Sequence, residues 1–256
     1  TGRLALAFVV VCVCGVLAQT NVTITPGTEY QTIEGLGGFA CMKEANVRVG
    51  PFYVKAPMEP YYDSLAYDLG VSMIRFEVSP DYWPSQASPY DLDAGVFCGP
   101  TDAYVRLMRE MAARGCNRFV FTVWSPPGWM KYSGEASGPS EGAPSYSSTQ
   151  SKLIPQYYDE FGQFLRDFLV HMRDSSGVAP YAISIANEPR FTQPFNNCVW
   201  DPASYRDGLK IVGPIIKASL PNIRFFGTEA MFWEVNNWLA TILGDATARQ
   251  YMDAVA

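Results

Sequence analysis

From residue 31 onward, the sequence alternates between short apolar segments and longer segments whose apolar residues recur at helical spacing. The short segments are rich in β-branched and aromatic residues and are bounded by turn residues, which is typical of strands. The predicted strands cover residues 33–40, 71–78, 119–124, 181–186, 223–226 and 251–256. The predicted helices cover residues 58–69, 101–114, 155–173, a segment that begins at Asp201-Pro202, and 231–243. This alternation predicts a parallel sheet with helices packed on it.

A doubly wound open sheet and a closed barrel both satisfy this order of elements. Several predicted strands are apolar on both faces, as parallel strands buried on both sides should be. Polar residues follow the strands at their carboxyl ends, where barrel active sites gather, and this favours a (β/α)8 TIM barrel. The sequence ends within the predicted sixth strand. We therefore expect residues 33–256 to form a partial barrel, truncated in or after the sixth strand.

The first 18 residues have the pattern of a signal peptide. Arg3 gives a positive start, residues 4–17 are apolar, and Ala18 is a small residue before a cleavage site ahead of Gln19. We expect a secreted, extracellular protein; a short N-terminal anchor is the alternative. Because no second run is long and apolar enough to span a membrane, we expect no stable membrane insertion. Residues 19–32 would form an N-terminal extended segment, which includes a glycosylation sequon at Asn21.

The net charge and the small number of metal-binding residues limit the classes of ligand that the chain can bind. The net charge is −6 and no Lys/Arg cluster is present, which argues against binding to nucleic acid. The single histidine, His171, lies on a predicted helix without a nucleophile or metal partner nearby, so we interpret it as structural and expect no metal. We expect a monomer that binds a neutral ligand. Secretion permits disulfides, and three pairings remain open among four cysteines. These are Cys41, Cys98, Cys116 and Cys198.

Asn187-Glu188-Pro189 follows the predicted fourth strand. At that point the backbone leaves the sheet and side chains face the cleft of a barrel. A carboxylic acid there can protonate a glycosidic oxygen, and the neighbouring amide can hydrogen-bond a sugar hydroxyl. The alternative is an ordinary loop start, since Asn and Pro favour turns.

Two tryptophans follow the predicted third strand. Trp124 and Trp129 flank a Pro-Pro segment, which makes them a rigid aromatic wall on which the apolar face of a sugar ring can rest. The alternative is that both are core residues, and this fits Trp129 better than Trp124. Lys131 lies just beyond, and we expect it to be solvated; the alternative is that it reaches the cleft.

Three charged residues complete the candidate site. Arg75 lies within an apolar strand, where a buried guanidinium needs a carboxylate partner; Glu77 and a catalytic carboxylate are the alternatives. Asp81 follows the same strand and could bind sugar hydroxyls or cap a turn. Glu229 follows the fifth strand. A nucleophile must lie across the scissile bond, about 5–5.5 Å from the acid, and a side chain from the adjacent strand is poorly placed for this. We therefore assign Glu229 to the cleft lining only.

In order and spacing, these residues resemble glycoside hydrolase family 30 and its clan of (β/α)8 retaining hydrolases. The matching stretches are QTIEGLGGFA (31–40), IRFEV (74–78), VWSPPGWMK (123–131) and ISIANEP (183–189). The resemblance covers residues 31–256. It implies that Glu188 is the acid/base, that Asn187 binds the sugar, that Arg75 supports the nucleophile, and that Trp124 lines the subsite of the cleaved sugar. It implies the subsite-lining role for Trp129 too, but less strongly than for Trp124.

The resemblance also implies double displacement on a β-linked oligosaccharide, polysaccharide or glycolipid, with no metal or organic cofactor. The family nucleophile is a glutamate that ends the seventh strand, which this sequence does not reach, so the chain alone is expected to be inactive. The family also carries a β-sandwich, to which residues 19–32 would add a strand. One alternative is a non-catalytic carbohydrate-binding barrel. Another is a barrel enzyme with different chemistry, such as a lyase or a metal-dependent hydrolase.

Overall fold

The structure is a computed structural model that describes residues 25, 27–28, 32–40, 48–49, 52–53, 59–91, 101–138, 150–192, 194–230 and 235–256. The chain divides into two compact units, Thr1–Glu34 and Gly35–Ala256, and all elements below belong to the second. The signal peptide of residues 1–18, Asn21, Cys41 and Cys98 lie outside the described residues, so those predictions are unaffected.

Six parallel strands form one sheet. They are β1 (Gly37–Phe39), β2 (Met73–Glu77), β3 (Arg118–Thr122), β4 (Ala182–Ser184), β5 (Arg224–Gly227) and β6 (Ala254–Val255). Their spatial order is the chain order, and every neighbouring pair is parallel. A doubly wound sheet reverses its strand order at a switch point, whereas a barrel adds strands in one direction. The order therefore matches the predicted barrel. Residues 48–49 and 52–53 form a separate antiparallel pair.

Helices connect the strands. They are α1 (Glu59–Asp63), continued by a π-helical turn over Ser64–Asp68, α2 (Thr101–Ala113), α3 (Tyr158–Ser176), α4 (Pro202–Ser219) and α5 (Val235–Leu243). Helix α4 begins where the sequence predicts, because Asp201, which precedes Pro202, forms a capping box with Ser204 in the first turn. Gly177 follows α3 with a φ of 75°, the left-handed conformation that commonly ends a helix.

The core lies between the sheet and these helices. On the helix-facing side of the strands, buried residues include Phe76, Phe119, Phe121, Ile183 and Phe225. Helix α3 packs its apolar face on them, including Phe161, Phe164, Leu165 and Phe168. Successive residues of a strand point to opposite faces, so Arg75, Glu77 and Thr122 lie on the face of the sheet that is turned away from the helices. The apolar residues therefore pack against the helices, and the polar residues lie together on the opposite face of the sheet.

His171 lies on α3 in contact with the ring of Tyr82, and its Nδ1 is 3.3 Å from the Ser175 hydroxyl. Burial lowers the pKa of His171. Cys116 and Cys198 are both buried and free. In the part of the chain that the structure describes, no helix is long and apolar enough to cross a membrane, and no group of His, Cys, Asp or Glu is arranged to hold a metal ion.

Candidate active site

Polar residues from four neighbouring strands meet at the carboxyl edge of the sheet. Arg75 lies on β2, Thr122 ends β3, Asn187 follows β4 and Glu229 follows β5. In parallel strands the carboxyl ends all lie at the same edge, so residues far apart in sequence converge there. Arg75 is the centre of the group, because it is hydrogen-bonded to the other three.

The guanidinium of Arg75 donates in three directions. Nη2 donates to Oδ1 of Asn187 at 2.6 Å and to Oε1 of Glu229 at 2.8 Å, and Nε donates to Oγ1 of Thr122 at 3.0 Å. The expectation that Arg75 needs a carboxylate partner is therefore confirmed, and that partner is Glu229. The Glu77 side chain instead accepts a hydrogen bond from Nδ2 of Asn196 at 2.7 Å.

Aromatic rings cover the guanidinium of Arg75. The Trp124 ring lies 4.4 Å from the guanidinium carbon and the Phe39 ring lies 5.5 Å from it, both within range of a cation–π interaction. Phe39 and Trp124 also stack on each other, with ring centroids 5.0 Å apart. Trp124 is only 9% exposed, whereas Phe39 is 41% exposed. The ring of this group that is open to solvent is therefore Phe39, which the sequence reasoning did not single out.

Glu188 stands directly beside this group. Its Oε2 is 3.4 Å from Nδ2 of Asn187, and its main-chain N–H donates to the carbonyl of Glu229 at 3.2 Å. Glu188 has a φ of 44° and Glu229 a φ of 49°, and among the described residues no other non-glycine residue has a positive φ. Side chains other than glycine rarely adopt this conformation, and such strain is concentrated at functional sites.

Glu229 is more deeply placed than a rim residue. Its side chain is 11% exposed, and that of Arg75 is 26% exposed. Burial raises the pKa of Glu229, and the charge of Arg75 opposes that rise. The second carboxylate oxygen, Oε2, has no hydrogen-bond partner among the described residues. The sequence identified Glu229 as lining the cleft but gave no sign of its pairing with Arg75.

Trp129 belongs to an aromatic cluster beside the site. Its indole N–H donates to the carbonyl of Trp83 at 3.0 Å, and its ring packs edge-on against Trp83 and Tyr157. Asp81 lies in a 3-10 turn, Pro80–Tyr82, that follows β2. Burial raises the pKa of Asp81, and the neighbouring charge of Asp91 adds to the rise.

The expectation that Lys131 is solvated is wrong. Lys131 is 3% exposed, and its Nζ donates to the carbonyls of Asn197 (2.6 Å) and Ala136 (3.0 Å) and to the Ser125 hydroxyl (3.1 Å). Burial lowers the pKa of Lys131 to about 8. These contacts join the loop after β3 to the loop after β4. Because two of the three acceptors are main-chain carbonyls, no side-chain pattern in the sequence could have revealed them.

No protein-family model matches the chain. A Caenorhabditis elegans protein provisionally named glucosylceramidase 4 is 24% identical over 256 residues, which cover 93% of this chain and 48% of that protein. The chain thus spans about half the length of the curated relatives it matches.

Solved structures resemble the chain more closely in fold than in sequence. A glycoside hydrolase family 30 subfamily 8 xylanase from Clostridium acetobutylicum superposes with a TM-score of 0.67 at 23% identity, over 89% of this chain and 50% of that one. An endo-β-1,6-glucanase gives a TM-score of 0.65 at 22% identity, over 90% of this chain and 52% of that one. The predicted likeness to the family 30 barrel is thereby confirmed for the fold.

Proposed function

We propose that this chain carries the acid/base half of the active site of a retaining β-glycoside hydrolase related to family 30. The observation that carries the proposal is the position of Glu188. It follows β4 at the carboxyl edge of a parallel sheet, with its carboxylate beside the amide of Asn187. Barrel enzymes assemble their active sites at this edge. The glycosidase names of the relatives and of the similar structures support the same reaction class.

In the proposed mechanism, Glu188 protonates the leaving oxygen while a second carboxylate attacks the anomeric carbon and forms a glycosyl-enzyme. Glu188 then takes a proton from the incoming water, and the product keeps its β configuration. The attacking group is proposed to be a glutamate at the end of a seventh strand, outside these 256 residues. Glu229 does not fit this role, because it follows the strand next to that of Glu188, whereas the nucleophile must lie across the scissile bond.

The remaining site residues are proposed to bind and orient the sugar. Asn187 would hydrogen-bond a hydroxyl near the bond that is cleaved, and Asp81 would accept from hydroxyls further along the cleft. Trp124 would form one wall of the sugar subsite. Since most of its surface is covered, it would contact the sugar together with the exposed ring of Phe39. Trp129, which packs against Trp83 and Tyr157, would line the same subsite.

The substrate class is proposed to be a β-linked oligosaccharide, polysaccharide or glycolipid. The xylanase and the endo-β-1,6-glucanase have nearly equal TM-scores, so fold likeness does not choose between their sugars. We further propose a secreted, monomeric protein. This rests on the signal-peptide pattern of residues 1–18 and the acidic composition.

The test uses the protein that carries this chain together with the remaining barrel strands. In Glu188→Gln, turnover of β-glycosides with poor leaving groups should fall by about 10²–10⁴-fold, because the leaving oxygen no longer receives a proton. Glycosides with activated aryl leaving groups need little acid assistance, so they should lose no more than about 10-fold in the glycosylation step. Steady-state and pre-steady-state kinetics on both substrate types measure the difference.

Glu59→Gln is the matched control, because it makes the same change on an exposed residue of helix α1. Its kinetics should equal those of the wild type on both substrates. An equal loss on both substrate types in Glu188→Gln would contradict the acid role. A wild-type protein that binds β-linked sugars without cleaving them would be a carbohydrate-binding barrel instead.

A further inference from the structure

Glu229 contacts the proposed acid/base region through both its side chain and its main chain. Its Oε1 accepts from Arg75 at 2.8 Å and from Thr122 at 3.4 Å. Its carbonyl accepts from the N–H of Glu188 at 3.2 Å, and its own N–H donates to the carbonyl of Ala256 at 2.9 Å. One residue at the end of β5 is therefore bonded to the strand ends on either side of it.

The contact between Arg75 and Asn187 fixes which way the amide of Asn187 faces. A guanidinium has only donors, so it can bond only the oxygen end of an amide. Oδ1 of Asn187 lies 2.6 Å from Nη2 of Arg75, and this turns Nδ2 towards the carboxylate of Glu188, 3.4 Å away. In this orientation Asn187 presents N–H donors, and no acceptor, to whatever lies beside Glu188.

Glu229 is the carboxylate that holds Arg75 in place. The same Nη2 donates to Asn187 and to Glu229, so the positions of these two acceptors are linked through one nitrogen. Oε2 of Glu229 has no partner among the described residues, and the nearby Ser184 hydroxyl donates to the carbonyl of Ala186 at 3.0 Å. Leaving a carboxylate oxygen buried and unpaired costs free energy, which opposes the stability gained from the pair with Arg75.

We propose that Glu229 is a positioning residue, which rests on the hydrolase function proposed above. It holds Arg75, Arg75 holds the oxygen of the Asn187 amide, and the amide N–H groups are thereby aimed at the sugar and at Glu188. Glu229 itself neither attacks the sugar nor transfers a proton. It acts on the transition state through Asn187, whose hydrogen bond to the sugar strengthens as the glycosidic bond breaks.

The experiment is a double-variant cycle in the full-length protein. Glu229→Gln keeps the shape of the side chain and removes its charge, so kcat should fall by about 10–100-fold while KM changes by less than about 3-fold. Asn187→Ala should lose a similar factor. Since both changes disrupt one unit, the double variant should lose little more than Asn187→Ala alone. Both leaving-group types should be affected equally, unlike in Glu188→Gln.

Asp63→Asn is the matched control, because it removes the charge from another Arg–carboxylate pair, with Arg114 at 2.7 Å on the helical side. Its kcat and KM should be unchanged. A second variant, Glu229→Asp, keeps the charge on a shorter side chain. It should retain the wild-type Tm and still lose about 10-fold in kcat, because the position of Arg75 changes. This outcome separates positioning from a folding defect.

Three results would overturn the proposal. The first is a wild-type kcat in Glu229→Gln or Glu229→Asp, and the second is a double variant in which the two losses multiply. The third is azide rescue of Glu229→Ala that yields a glycosyl azide of inverted configuration, since this would identify Glu229 as the attacking group. If the wild type cleaves no β-glycoside, the proposed function fails. If the wild type is active and Glu188→Gln behaves as expected, the proposed function stands, and the Glu229 variants then test the role of Glu229 alone.

Discussion

Arg75 and Lys131 are both cations that the fold takes out of water at the carboxyl edge of the sheet, and their surroundings differ. Arg75 bonds a carboxylate and lies against two aromatic rings, whereas Lys131 donates to three neutral oxygens. The charge of Glu229 offsets the desolvation of Arg75, whereas Lys131 is bonded to neutral oxygens, and burial lowers its pKa to about 8 against the opposing charge of Glu135. Arg75 therefore joins residues of the candidate active site to each other, whereas Lys131 joins two loops.

The largest expected effect comes from breaking the charged pair. Arg75→Met should lower the free energy of unfolding by about 2–4 kcal/mol, because Glu229 is left with its charge and no cation. Adding Glu229→Leu to this variant should restore about half of the loss, since the unpaired carboxylate is then removed. Denaturant unfolding of the full-length protein measures both. A loss below about 0.5 kcal/mol in Arg75→Met would show that the pair is solvated like a surface ion pair.

A smaller effect is expected at Lys131, whose acceptors are neutral. Lys131→Met should cost about 1–3 kcal/mol at pH 7, because the carbonyls of Ala136 and Asn197 lose their donor while the cost of burying a charge is also removed. Lys152→Met is the control, since it removes a partly exposed pair with Asp201 and should cost at most about 1 kcal/mol. If Lys131→Met were neutral, hydrogen bonds to the loops would contribute no net stability.

The third effect, which is small for each pH unit, is a dependence of the stability contributed by Lys131 on pH. Its folded pKa of about 8 lies below the ordinary value of 10.5, so the unfolded state binds more protons between these two values. The stability of the wild type relative to Lys131→Met should therefore rise from pH 8 to 10.5, by at most about 1.4 kcal/mol per pH unit. Cys198 stays protonated over this window, because burial raises its pKa to about 11. A flat difference, or one that falls with pH, would contradict the lowered pKa.

The sequence predicted the elements well where local signals are strong. Asp201, Pro202 and the apolar spacing after them predict the start of α4, and Gly177 ends α3 beyond the predicted limit at residue 173. The place of Glu188 at a strand end was also predicted, because a parallel sheet brings all carboxyl ends to one edge. Such features depend on residues within a few positions of each other.

Pairings across the sheet could not be predicted in the same way. Arg75 needed a carboxylate, and the alternatives were Glu77 on its own strand and a catalytic carboxylate. Spacing gave no sign of Glu229, which is 154 residues away. The burial of Lys131 was missed because lysine is almost never fully buried, and its acceptors are main-chain carbonyls of two loops. Composition and periodicity do not indicate which main-chain carbonyls of the loops point towards a buried side chain.

The agreement of strand order with chain order has a consequence during synthesis on the ribosome. Each new strand pairs with a strand that has already been synthesised, so the sheet can grow by one strand at a time. Each crossover then connects only neighbouring strands. Arg75 emerges with β2, long before Glu229 completes β5. Until then its guanidinium must remain hydrated in the nascent chain. The water around Arg75 can be excluded only when the fifth strand is in place.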